Sequence, residues 1–279
     1  NTPGANANAV KELVLAGLLL SSRKIVEGIE WEKTTLKGNG DAVGKMVEKG
    51  KSQFVGPELK GKTLGVIGLG AIGILVANAA AALGMQVIGY DPFMSVPNAL
   101  RLDPSIKLMK NNEEVMTNCD YLTIHVPLTP DTKDLVDADM MAKMKDGVRI
   151  LNFSRDGLVN STAVLEALKS GKVAKYVTDF GTDDILGEEN VICLPHLGAS
   201  TPESEENCAV MACDQVKEYL ENGNIVNSVN YPAISLPRNT KDTRFCVMHK
   251  NVPELLKKVL SELNGNIENM LSKSRGEYA

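Results

Sequence analysis

Histidine is scarce in this 279-residue chain, three in all, and the five cysteines (Cys119, Cys193, Cys208, Cys213, Cys246) form no C-x-x-C pair and no zinc spacing. No metal site is therefore expected. An odd cysteine count without a disulfide framework fits reduced thiols and a cytoplasmic setting. Long hydrophobic runs are also missing. The longest, such as LVLAGLLL at 13–20, fall well short of the ~18 residues that suggest a membrane span, so no membrane partner is expected. No signal peptide is visible at the start. Charge of one sign is lacking as well: 30 Lys and Arg against 35 Asp and Glu leave −5 and no basic stripe, so nucleic acid is not an expected partner. Internal repeats and low-complexity tracts are absent.

What is present is a globular composition, 43% hydrophobic and 23% charged, enough to bury a core. The length suits one large domain or about two. The chain opens without an initiator Met, inside an element, and closes on SKSRGEYA without a helix stop or polar tail, so a fragment of a longer protein is expected.

Apolar spacing at Val10, Leu13, Val14 and Leu18 predicts a helix over 8–22. Residues 33–57, richer in Gly, Lys and polar residues, read as a connector. Residues 62–92 then give a short apolar strand, a glycine turn, an Ala-rich helix ending at Gly84, and a second strand, which is a β-α-β unit. Further apolar runs at 120–126, 148–153, 173–178 and 191–194 alternate with helical or loop segments at 134–145 and 161–170. Short buried strands alternating with helices predict an α/β fold with a doubly wound, mostly parallel sheet. Pro202 opens a helix over 203–221 that ends at Asn222-Gly223. After a polar connector at 235–243, RFCVMH reads as a strand, 254–263 as a helix and GNIENMLSK as a second strand.

Gly68-Leu69-Gly70-Ala71-Ile72-Gly73 follows a strand and opens a helix, as a dinucleotide-binding turn requires. Gly68 permits the tight turn, Gly70 lets a pyrophosphate approach the backbone, and Gly73 lets helix and strand pack closely. The N–H groups of the helix start, at Ala71 and Ile72, face that phosphate site. Glycine turns also serve purely structural ends. The deciding addition is Asp91, eighteen positions after Gly73 at the end of the second strand, where a carboxylate can accept from ribose hydroxyls. No Arg follows it closely, which favours NAD over NADP.

Arg155 lies past the strand at 148–153, where a guanidinium can hold a substrate carboxylate through two parallel hydrogen bonds. The bland alternative is a surface arginine. His196 follows the short strand at 191–194 and titrates in the range useful for proton transfer. A lone histidine is more often structural, and a metal role needs partners that His125 and His249 are not spaced to supply. After a strand in a dinucleotide fold, His196 reads best as a general acid/base. His125 lines a nicotinamide pocket or is structural, and His249 is unrelated to catalysis.

These stretches together, NTPGANANAVKELVLAG, ELKGKTLGVIGLGAIG, IHVPLTPDT, ILNFSRDGLV, VTDF and PHLGAST, resemble the D-isomer-specific 2-hydroxyacid dehydrogenases and follow that family's order over nearly all of residues 1–201. The resemblance implies a Rossmann-type domain at 1–202 with a leading helix, and a helical return at 203–234 to a mostly missing substrate domain. The tail, 243–279, resembles the first half of an ACT domain, a partial βαβ unit that senses amino acids. Implied activity is NAD-dependent oxidation of a 2-hydroxy acid, first 3-phosphoglycerate, with lactate, glycerate or glyoxylate-derived substrates as alternatives. A non-catalytic NAD-sensing protein is the reading of a different class. Arg155 is then the carboxylate anchor and His196 the proton acceptor. Asp179 contacts the nicotinamide carboxamide, and Val126, Pro127, Phe153, Ser154, Gly198 and Ala199 line the cofactor site with His125. The family's usual Glu partner of the histidine is replaced by Asp184, with Glu188 or Glu189 as alternatives, and the loop to His196 is shorter than usual. Asp156 and Asn160 also depart from the commoner Gly and Asp. A homodimer or homotetramer and a serine effector at the ACT-like unit complete the expectation.

Overall fold

The computed structural model describes residues 1–238 and 241–279; Asn239 and Thr240, within the expected connector at 235–243, lie outside the described residues. Residues 7–201 form one compact unit, and residues 1–6 with 202–279 form another.

In the first unit the chain begins with α1 (Ala7–Ser22) and α2 (Ile25–Trp31), followed by α3 (Val43–Gly50). The sheet is built from β1 (Thr63–Ile67), β2 (Gln86–Tyr90), β3 (Lys107–Leu108), β4 (Tyr121–Ile124), β5 (Val148–Asn152), β6 (Val173–Thr178) and β7 (Val191–Cys193). Its order is β3-β2-β1-β4-β5-β6-β7, and every neighbouring pair is parallel. Between the strands run α4 (Ala71–Ala82), α5 (Val96–Ala99), α6 (Asn112–Asn118), α7 (Ala138–Lys143) and α8 (Ser161–Lys169). The central strands are apolar almost throughout because both faces are covered. On one face Leu64, Val66, Tyr121, Leu151 and Val177 pack with Val10, Val14 and Leu18 of α1 and with Ile74, Ala77 and Ala80 of α4. On the other, Ile67, Leu122, Ile124, Ile150 and Tyr176 pack with Val115 and Met116 of α6 and Val164 and Leu168 of α8. Successive strand residues alternate between the two cores, the period-2 rule of a pleated strand.

The chain grows outward from β1 to β3, then crosses back to lay β4 on the other side of β1. Ligands bind at such a switch point, beyond the carboxyl ends of the strands. Here those ends are in register. Tyr90, Ile67, Ile124, Asn152, Thr178 and Cys193 stand in one row across six strands.

Residues 33–57, read as a connector, are largely helical. A wide helical turn at Glu32–Leu36, then α3, then a tight turn at Lys51–Phe54 bring the Trp31 and Phe54 rings to 5.3 Å. That aromatic pair supplies packing that the Gly- and Lys-rich composition does not advertise. Among the described residues no helix is long and apolar enough to cross a membrane.

In the second unit α9 (Pro202–Asn222) carries Glu203 and Glu205 in its first turn and stops at Gly223, whose φ is +70°. Further on, α10 (Leu255–Glu262) forms where expected. The strands expected at RFCVMH and GNIENMLSK do not form, so the ACT-like βαβ unit is corrected to a single helix between extended segments. Ladder hydrogen bonds need a paired edge. Beside these segments lie isolated bridges, Lys250 to Tyr278 and Arg275 to Tyr278, and His249 exchanges backbone hydrogen bonds with Ala279, while Phe245 stays 70% exposed. The Arg244 guanidinium donates instead to the carbonyls of Asn222, Leu236 and Pro237.

Val14 and Leu18 of α1 are wholly buried. Leu18→Ala should cost about 2–5 kcal/mol, as for buried leucines generally. Urea unfolding measures it, and a loss below about 1 kcal/mol would mean that α1 is peripheral to the core.

Candidate active site

Each expected site residue up to Asp179 lies within three positions of a strand end, or on the helix that follows. After β1, Gly68 holds φ +86°, and a Cβ there would stand 2.5 Å from the His125 carbonyl oxygen. A Cβ on Gly73 would stand 1.9 Å from the Gly68 carbonyl oxygen. Both positions therefore require glycine. Gly70 precedes α4, and no side chain caps that helix start. The first-turn N–H groups of Ala71, Ile72 and Gly73 thus have no intrahelical acceptor and add to the positive end of the helix dipole. Above Gly70 the space is open. The Asp91 carboxylate ties the turn together: Oδ2 accepts from Leu69 N at 2.9 Å and Oδ1 from Phe93 N at 2.8 Å. Each oxygen keeps a lone pair for a sugar hydroxyl.

After β4, His125 accepts or donates at Nε2 to Thr123 Oγ1, 3.0 Å away, while its Nδ1 is buried without a partner. Burial pushes its pKa down to about 4, so the ring is neutral near pH 7. Ser154 Oγ donates to the Val126 carbonyl at 2.6 Å, joining the loops after β4 and β5, and Thr132 Oγ1 donates to the Pro127 carbonyl. The Phe153 side chain is spent on the core, where it fills the space beside Gly17, so only its backbone faces the crevice edge. Arg155 is exposed, and its Nη1 donates to the Ser154 carbonyl at 2.6 Å. Four further donor positions of the guanidinium remain.

After β6, Asp179 is buried, and its Oδ1 has no hydrogen-bond partner. Burial raises the Asp179 carboxyl above its usual range, and the His196 and Arg155 charges together with the Gly198 amide draw it partly back. His196 adopts a left-handed backbone, φ +49°, and its ring packs edge-to-face on Phe180 at 4.9 Å and 79°. Gly198 approaches the Asp179 carboxylate, and a Cβ there would be 3.4 Å from Oδ2. Ala199 is exposed next to it.

Among the described residues Asp184 makes no hydrogen bond to His196. Asp184 Oδ1 accepts from Thr182 Oγ1 at 2.5 Å, and with Ser161 this bond holds the carboxyl below its usual range. These bonds turn the exposed Asp184 carboxylate toward the start of α8. Glu188 and Glu189 are exposed and make no side-chain hydrogen bond to His196 among the described residues. His249 lies in the second unit, with Nδ1 at 2.8 Å from the Lys250 carbonyl. Among the described residues no cluster suited to a metal ion occurs.

Sequence reading missed Asn152. It is buried at the end of β5, where Nδ2 donates to the Arg155 carbonyl at 2.8 Å and Oδ1 accepts from Ser154 N at 3.2 Å. The available signal was a polar residue closing an otherwise apolar run. Phe180, the platform for His196, carried no signal of its own.

The residues present fit a dinucleotide: an uncapped helix start, a crevice that glycines keep clear, and two buried polar atoms, His125 Nδ1 and Asp179 Oδ1, left without partners. Fold and site together define a dinucleotide-binding α/β domain of the doubly wound type. Residues 16–198 match the family described as "D-isomer specific 2-hydroxyacid dehydrogenase, NAD binding domain". The chain belongs to that family. It is similar to a D-3-phosphoglycerate dehydrogenase of Methanocaldococcus jannaschii, 33% identical over all of this chain and 51% of the relative, and to one of Haemophilus influenzae, 34% identical over 96% of this chain and 64% of the relative. The chain thus spans only half to two thirds of these relatives. Among solved structures, a glyoxylate reductase from Paecilomyes thermophila superimposes with a TM-score of 0.68 at 27% identity, over 82% of this chain and 66% of that one. The D-lactate dehydrogenase from Aquifex aeolicus complexed with NAD and lactic acid gives 0.63 at 26%, over 78% and 68%.

NAD should bind more tightly than NADP, because the Asp91 charge repels a 2′-phosphate. Asp91→Ala should narrow that gap and weaken NAD as well, since Leu69 N and Phe93 N lose their acceptor. Calorimetry with both cofactors checks this, and equal affinities in the unmodified chain would remove Asp91 from the ribose site.

Proposed function

We propose that this chain carries the catalytic core of an NAD-dependent dehydrogenase that oxidises 3-phosphoglycerate to 3-phosphohydroxypyruvate. The observation that carries the reading is the convergence of Arg155, Asp179 and His196 past three adjacent strands, where Arg155 and the protonated form of His196 both favour the Asp179 carboxylate. Gly68, Gly70, Gly73 and the first turn of α4 would cradle the pyrophosphate, and Asp91 would hold the adenosine ribose. Asp179 Oδ1 and neutral His125 would meet the nicotinamide end, beside Val126, Pro127, Phe153, Ser154, Gly198 and Ala199. Bound NAD supplies the hydride acceptor.

The chain's own residues do the rest. Arg155 fixes the substrate carboxylate through two parallel hydrogen bonds, which sets the face that C2 presents. His196 takes the C2 hydroxyl proton at a ring nitrogen, so the oxygen can close to a carbonyl as hydride leaves C2. His125 stays uncharged and avoids placing a second buried cation beside an oxidised nicotinamide. The substrate choice is supported by the phosphoglycerate dehydrogenase relatives, which match across the length of this chain. A second reading, oxidation or reduction of another 2-hydroxy acid and its oxo acid, is favoured by the glyoxylate reductase and lactate dehydrogenase structures. Exposed Ile25, Val26 and Ile29 on α2 support a homo-oligomer.

His196→Ala should leave NAD affinity nearly intact and lower kcat by about 10²- to 10⁴-fold. Arg155→Ala should raise KM as well, because the anchor acts in both the ground and transition states. Stopped-flow NADH formation with a panel of 2-hydroxy acids reads both effects and ranks the substrates. A His196→Ala protein that turned over at the normal rate would overturn the proton-transfer assignment.

A further inference from the structure

Within the proposed dehydrogenase reading, one part lacks an assignment: the carboxylate that orients His196. Asp184 is engaged with Thr182 and Ser161, and Glu188 and Glu189 are exposed. Asp179 stands differently. It is buried, its Oδ1 has no partner, and Oδ2 lies against Gly198, two residues after His196. The ring of Phe180, the residue next to Asp179, is itself the platform on which the His196 ring rests. Two separate contacts therefore bring the loop after β7 down over the end of β6. We propose that Asp179 is the positioning residue for His196 in this chain, holding the imidazole's orientation from the end of β6.

The chemistry suits that role. A buried carboxylate with an unsatisfied oxygen is costly unless a cation or donor meets it. The groups acting on Asp179 are His196 on the loop after β7, Arg155 on the loop after β5, and the Gly198 amide. At the end of β7, Cys193 is a neutral thiol whose pKa is raised by burial and by the Asp179 charge. In this chain the segment of Asp184 faces Thr182 and the start of α8, while His196 lies three residues past the end of β7.

The test uses the full chain with ¹³C-carboxyl-labelled aspartate, titrated by NMR without substrate. His196→Asn removes the cation, and Asn tolerates the left-handed backbone at that position. The Asp179 midpoint should then rise by about one unit, the lower end of the shift from a nearby opposite charge, while that of Asp184 stays in place. Movement of Asp184 with Asp179 unmoved would overturn the proposal. In steady-state assays Asp179→Asn should lower kcat by on the order of 10²-fold, the lower end for an acid–base function. NAD affinity should be largely kept, because Asn still offers a carbonyl oxygen to an amide N–H. Asp184→Asn should leave kcat within a few-fold of normal. Loss of NAD affinity with unchanged kcat in Asp179→Asn would also overturn it, since that is the signature of a residue that serves the cofactor alone. A coupled NMR titration in a chain inert toward every 2-hydroxy acid would uphold the pairing and sink the dehydrogenase reading instead.

Discussion

The structure depends on one constraint: a parallel sheet covered on both faces has nowhere to place polar chemistry except at its ends. Leu64, Val66, Ile150, Leu151 and Val177 are fully buried, each committed to one of the two cores. The register row from Tyr90 to Cys193 then gathers the carboxyl ends on one line. With neighbouring strands about 4.8 Å apart, the loops that carry Arg155, Asp179 and His196 leave the sheet within ~10 Å of one another. Their convergence follows from the hydrophobic pattern of the strands, which contain none of them.

The loops are held to each other as well as to the sheet. Asp91 binds the glycine turn through Leu69 N, Ser154 binds the Val126 carbonyl, and Asn152 binds the Arg155 carbonyl. Gly68 lies against the His125 carbonyl so closely that no side chain fits between. The Asp91 and Ser154 bonds run from one crossover to the next, and the Asn152 bond holds the Arg155 loop to its own strand. Orientation is thereby set before any ligand arrives, which is how a site avoids the entropic cost of ordering its own groups during a reaction.

Wherever one rule acted alone, the sequence was legible. The period of α1, the buried strands, and the glycine turn with Asp91 each follow from local pattern, and six of the seven strands lie at the expected runs; β3, two exposed residues at the sheet edge, was not expected. Legibility failed where tertiary contacts outweighed pattern. The helices within 33–57 rest on a Trp31–Phe54 contact that no periodicity encodes. Short α5 and α6 begin at Ser95 and Asn111, whose side chains cap Asn98 N and Glu114 N, signals too local to stand out in advance. The RFCVMH and GNIENMLSK segments failed in the opposite direction: they were read as strands, yet among the described residues neither joins a ladder beyond the His249–Ala279 pair. In the site, the placement of Arg155 and His196 beyond strand ends was legible from the apolar runs, whereas Asp184 was named in place of the family's usual Glu. That resemblance does not show the contacts Asp184 makes with Thr182 and Ser161.

The Asp179 environment links binding to proton transfer. The charged form of its buried carboxyl is opposed by burial and supported by Arg155 and by the protonated form of His196. In the proposed reaction a substrate carboxylate pairs with Arg155 and offsets the support that guanidinium gives. The proton that the imidazole then takes makes His196 a cation and supplies support from the other side. Charge therefore moves along the strand-end row in the same direction as the reaction, from the anchor past β5 to the acid/base group past β7, with the carboxylate of β6 between them. An arrangement in which Asp184 served the histidine would lack that link, because Asp184 sits on the α8 side of the loop with no charge partner in common with Arg155.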